Sequence, residues 1–183
     1  MDTASWQGPP PDVLGRPVPI QRFVARTRGA VIALQHAVAF PQGCILALSV
    51  AVRRDSLDDP VWDSVVDSHR GAGLGSTVAD GGLRFGVRFP DGGTATTVEH
   101  PFRAGAPSSD RPHRPMLVEA GSESSGDDRH YHGHQRLWLS PLPPPASFEF
   151  VAEWRNLGLA RTAIAIDGTA IGQAATYALP FWD

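Results

Sequence analysis

The chain has 183 residues, 42% of them hydrophobic and 19% charged, with a formal net charge of −3. Those figures suit one globular domain with a core of its own, and they disfavour a disordered chain or a nucleic-acid-binding one. All sixteen basic residues are Arg, and the single cysteine, Cys44, has no partner for an intramolecular disulfide. No secretory signal pattern opens the chain, and no apolar run nears the roughly 20 residues that cross a bilayer, so the expectation is a cytoplasmic protein with no membrane partner.

Residues 1–18 are rich in proline, which fixes φ and removes a backbone donor, and they read as an extended arm ahead of a single domain over 19–183. An alternating pattern then begins. From Ala30 to Phe40 the even positions hold Ile32, Leu34, His36, Val38 and Phe40, and from Cys44 to Val52 they hold Leu46, Leu48 and Val50. Two strands joined by a turn at Pro41-Gln42-Gly43 account for this, with Cys44 and His36 on the apolar face.

Residues 55–81 break the rhythm and read as a flexible loop containing one or two helical turns. Asp59 is the expected cap and Pro60 suits the first helical position. Gly71, Gly73 and Gly75 lack the spacing of a phosphate-binding loop. Leu83 to Phe89 alternates again, with Leu83, Phe85, Val87 and Phe89 on one face and Arg84, Gly86 and Arg88 on the other. Pro90-Asp91-Gly92-Gly93 turns it into a second strand from Thr94 to Val98.

Residues 103–129 read as a long surface loop with one edge strand at Met116-Leu117-Val118. Three further strands follow, at Leu137–Leu139, Phe148–Trp154 and Arg161–Ile166. A helix over Thr169–Ala178 follows the turn at Asp167-Gly168. About seven to nine short strands with turn signals between them call for an all-β fold, an antiparallel β-sandwich of immunoglobulin-like or jelly-roll type with one short C-terminal helix.

The stretch from His130 to Trp138 carries the clearest functional signal. A strand places His130, His132, His134, Arg136 and Trp138 on one face. Neighbouring same-face residues lie about 7 Å apart, so two of these imidazoles could reach one ion, and zinc is the metal that such a set would take. Three alternate histidines span about 14 Å, however, too far for a single ion without a bend at Gly133. Of the remaining histidines, His36, His69, His100 and His113, only His36 lies on a clear strand, and there on the apolar face. Trp138 either stands exposed beside Arg136, as at a binding hot spot, or packs beneath the loop Pro141–Pro145. No Gly-x-Ser-x-Gly elbow accompanies the Ser, His and Asp residues, and Glu149 and Glu153 share a strand face as solvated carboxylates often do.

From Arg136-Leu-Trp138-Leu-Ser-Pro-Leu-Pro-Pro-Pro145, through Phe148-Glu-Phe-Val-Ala-Glu153-Trp154, to Gly158, the chain resembles a group of uncharacterised actinobacterial proteins. Their C-terminal halves run tryptophan, Pro-Leu-Pro-Pro-Pro-Gly, an apolar strand, Glu-Trp, a glycine and a final helix. Ala146 stands here where that pattern has Gly, and Arg155 where it has Pro. The resemblance implies a β-rich architecture and a bacterial cytoplasm, and assigns no activity.

The leading expectation is a non-enzymatic interaction or accessory module that docks an unidentified protein through His130, His132, His134, Arg136 and Trp138, with no cofactor. A metal-binding protein or metal-dependent hydrolase on His130, His132 and His134 is the first alternative. A sandwich that binds a small ligand or carbohydrate by aromatic stacking is the second.

Overall fold

The computed structural model describes residues 7–55, 57–70, 81–98 and 114–182, with backbone alone over 66–70. Its strands are β1 (Val13–Leu14), β2 (Arg16–Arg26), β3 (Ala30–Phe40), β4 (Gly43–Arg53), β5 (Leu83–Arg88), β6 (Thr94–Thr96), β7 (Met116–Gly126), β8 (His130–Ser140), β9 (Ser147–Trp154), β10 (Leu159–Asp167) and β11 (Leu179–Pro180). Two helices interrupt them, α1 (Asp59–Arg70) and α2 (Gly168–Ala175).

All strand pairs are antiparallel. One sheet has five strands in the order β2-β3-β4-β8-β7 and the other has four in the order β10-β9-β5-β6. A small third sheet joins β1 to β11. The two large sheets bury their inner faces against each other, which makes the fold a β-sandwich. No helix among the described residues is long and apolar enough to cross a membrane.

The core follows from period-2 alternation. The five-stranded sheet contributes Ile32, Leu34, Leu46, Leu48, Val50, Leu137 and Leu139. The four-stranded sheet contributes Phe85, Val87, Phe148, Phe150, Trp154 and Ile166. Aromatic rings bridge neighbouring strands of that second sheet: Phe85 stacks on Phe150 with centroids 5.7 Å apart, and Phe89 lies 5.4 Å from Phe148. Cys44 is fully buried in the same core, where desolvation pushes its thiol up to about 12.

Local sequence explains the boundaries. Phe40 pairs with Gly43, so Pro41-Gln42 forms a two-residue turn. Asp91 accepts a hydrogen bond from the Gly93 N–H at 2.8 Å and closes the β5–β6 hairpin. The Asp167 carboxylate accepts from Thr169 and Ala170 and caps α2. Ile171 and Ala175 of α2 are buried against the sandwich.

Several expectations are corrected. The turn of helix expected at Asp59 is a twelve-residue helix, and Asp58 accepts from the Val61 N–H ahead of it. The C-terminal helix stops at Ala175, and Leu179–Pro180 is strand. Residues 116–126 form an eleven-residue edge strand where a loop was expected over most of their length. The proline arm is structured from Val13 onward: Val13 pairs with Pro180, and Arg16, Pro17 and Val18 pair with β3. Pro17 and Pro19 fit because β2 is an edge strand, where a missing N–H breaks no ladder. Gly71–Gly75 and residues 103–113 of the expected loops lie outside the described residues.

The inward placement of His36 is also corrected. The β3–β4 register shifts between Leu34 and His36, and the extra residue, Gln35, inverts the alternation. Ala37 and Ala39 turn inward, while His36 is exposed on the outer face. A bulge of one residue reverses every side chain beyond it.

Candidate functional site

The outer face of the five-stranded sheet is assembled row by row from the strand register. One row runs Arg26, Val31, Ala51, His132, Ser125. The next runs Phe23, Ala33, Ser49, His134, Glu123, and the one after it Pro19, His36, Ala47, Arg136, Gly121. Arg53 and His130 are direct cross-strand neighbours at the end of the face. Small side chains therefore occupy most of the middle columns, His36 excepted, with arginine, histidine and phenylalanine on either side.

His130, His132, His134 and Arg136 share this face and are exposed, as the alternation predicts. Trp138 shares the face but is fully buried. It belongs to a second apolar cluster with Phe40 and Val118, against which Val13, Val38 and Ile45 pack. The N-terminal segment covers this cluster: a Cβ on Gly15 would lie 2.5 Å from both the Phe40 ring and Val38. Trp138 is thus removed from the exposed surface, which is a correction to its expected place on it. The cover comes from the opposite end of the chain, and no local pattern around Trp138 announces it.

The three histidines do not converge. His130 Nδ1 lies 3.4 Å from Asp127 Oδ1. His134 Nδ1 lies 3.1 Å from Ser49 Oγ, which also accepts from Gln35 Nε2 at 3.0 Å. Among the described residues no three His, Cys, Asp or Glu side chains gather closely enough to hold a metal ion. His100 and His113 lie outside the described residues, and the His69 side chain is not described.

Asp127 organises the turn before β8. Its carboxylate accepts from the backbone N–H groups of Arg129 at 2.8 Å and His130 at 2.7 Å. Those two bonds, with a smaller contribution from His130, hold its pKa below the ordinary carboxylate value.

Ser49 beside His134 has the composition of a nucleophile and a base. The surroundings do not complete such a site. Ser49 sits mid-strand between two paired neighbours, so the backbone N–H groups around it are committed to the ladder and cannot form an oxyanion hole.

The face is concave at one end. A groove of about 500 Å³ opens between the β2–β3 hairpin tip, Arg26–Gly29, and Arg53, His130 and His132, with Val31 and Ala51 in its floor. Arg26, Arg28 and Arg53 are exposed and form no ion pair among the described residues. Arg26 instead lies over the Phe23 ring, 4.6 Å from its centroid. Among the described residues no carboxylate lines the groove. Alternation does not single out these three arginines; the local signal for two of them is Arg26 and Arg28 on either side of Thr27 in the β2–β3 turn.

The outer face of the other sheet is different. Arg88 pairs there with Glu149 and Arg155 with Glu153, so both β9 carboxylates are ion-paired.

The chain matches no protein-family model. No curated protein and no solved structure shows significant similarity to it.

Proposed function

We propose that this protein is a non-enzymatic interaction module of the bacterial cytoplasm, and that it docks a partner protein on the outer face of its five-stranded sheet through His130, His132, His134 and Arg136. The observation that carries this reading is the contrast between the two outer faces. One pairs Arg88 with Glu149 and Arg155 with Glu153; the other presents Arg26, Arg28 and Arg53, which form no ion pair among the described residues, together with exposed histidines around a groove floored by Val31 and Ala51. Arginine is a residue type enriched at binding hot spots. Exposed Phe23 at the edge adds apolar area of the kind that binding surfaces use. The lone buried thiol of Cys44 suits a reducing compartment.

The test is site-directed photo-crosslinking. A photoreactive side chain at Ala51, in the floor of the groove, should yield one adduct of defined mass that re-forms with the purified partner. The same group at Ala163, exposed on the opposite sheet, should not. Equal labelling from both positions, or none from Ala51, overturns the assignment of this face.

A further inference from the structure

Arginines and histidines line this face in two directions. Across the strands, Arg26 and His132 share one row with only Val31 and Ala51 between them, a separation of about 14 Å at three strand spacings. Along β8, His130, His132, His134 and Arg136 follow one another on the same side, over about 20 Å at the rise of an extended chain. Between these rims lie Val31, Ala33, Ala47, Ser49 and Ala51, with His36 beside Ala47 at the far end, a strip of mostly short side chains parallel to the strands.

A single small anion would engage only one part of that array. An extended polyanionic chain would meet all of it. The acidic groups near the face define its limits: Asp127 is engaged by the turn and by His130, and Glu123 stands on β7, beyond His134. Negative charge is therefore favoured over the β3–β4–β8 strip and repelled at the β7 edge. The floor itself is apolar and shallow, which suits main chain and short side chains.

Resting on the reading above that this face docks a partner, we propose that the docking element is an extended acidic segment of the partner protein, about six residues long, laid along the β4–β8 strip with its carboxylates or phosphates held by Arg26, Arg28 and Arg53 and by the histidine row. Arginine recognises carboxylate and phosphate by the same paired N–H geometry, so the recognised group is an anion carried on a peptide.

The experiment titrates fluorescein-labelled hexaglutamate into the intact protein at low salt and follows anisotropy. A hexapeptide alternating phosphoserine and glycine distinguishes phosphate from carboxylate as the source of charge. Saturable binding of either peptide is expected, weakened at least tenfold by Arg26→Glu combined with Arg53→Glu, unchanged by Arg161→Glu on the other sheet, and weakened by raising NaCl from 50 to 200 mM, because exposed charges are screened over roughly 10 Å. If the double variant fails to fold, Arg28→Glu alone should still weaken binding measurably.

Hexalysine binding as well as hexaglutamate would overturn the proposal. So would orthophosphate binding as tightly as the peptides, which would make the groove a small-ion site, or a ten-residue oligothymidine binding more tightly than they do. No peptide binding at 1 mM would also overturn it. The photo-crosslinking result is independent: a partner captured from Ala51 but indifferent to the arginine reversals would leave the docking face standing and remove only the acidic segment.

Discussion

Trp138 and Phe40 meet edge to face, with ring centroids 5.8 Å apart, on the side of the five-stranded sheet that points away from the sandwich core. The sheet is therefore apolar on both faces at this end and wet on one face at the other. The two-stranded sheet of β1 and β11 lies by this second cluster, with Val13 packed against it. The N-terminal segment thus acts as a lid on a part of the fold that alternation alone would leave in water.

Replacing Trp138 by Ala should destabilise the protein by about 3–5 kcal/mol, the range for large aromatic-to-alanine changes in buried sites. Urea unfolding followed by circular dichroism measures it. A loss below about 1 kcal/mol would mean that the cluster is not packed as described.

Gly43 tests the same cluster from the turn. A Cβ there would collide with the Leu139 carbonyl oxygen and approach the Trp138 ring to 2.8 Å. Gly43→Ala should cost about 1–3 kcal/mol while leaving the anion groove intact, so peptide anisotropy should stay unchanged below the unfolding transition.

Cys44 should be inert to thiol reagents in the native state and react only on unfolding, because its burial both blocks access and favours the neutral thiol. The raised value gives the pH dependence its sign. The unfolded thiol ionises first as pH rises through about 8.5, while the folded one holds its proton until about 12. The stabilisation is complete below the lower value and is lost between the two. Cys44→Ala should reduce the alkaline component of the stability profile.

Asp127 has the opposite sign. Its folded pKa is depressed by the N–H groups of Arg129 and His130, so its contribution is present above the ordinary carboxylate value of about 3.9 and fades as pH falls through the folded value. Asp127→Ala should loosen the β7–β8 turn, seen as faster amide exchange at Arg129 and His130, and should shrink the acid-induced part of that exchange.

Zinc added in slight excess should leave the melting temperature within about 1 °C, since His130 and His134 face separate partners. A native-state ligand present at a hundred times its dissociation constant would add about 2.7 kcal/mol, so a specific zinc site would be evident in the same scan.

Much of the sandwich is legible from alternation because a strand sends successive side chains to opposite faces. Leu83 to Phe89, Phe148 to Trp154 and the even positions from Cys44 to Val52 place their apolar members inward as that rule demands. The same rule puts His130, His132, His134 and Arg136 outside together. It fails at Gln35, where one added residue shifts the frame and moves His36 from core to surface. It also fails at Trp138, whose outward side chain is covered from the other end of the chain.

What the order of residues determined by itself, then, is which side chains share a face wherever a strand runs without a bulge, because that depends only on local backbone geometry. The tertiary structure alone decided where the frame slips, as at Gln35, what covers Trp138, and which charges become neighbours. Arg26 and Arg28 come to oppose Arg53, His130 and His132 through the β2-β3-β4-β8 pairing order, a long-range choice driven by burial of the other face. Neither proximity in sequence nor periodicity encodes that meeting.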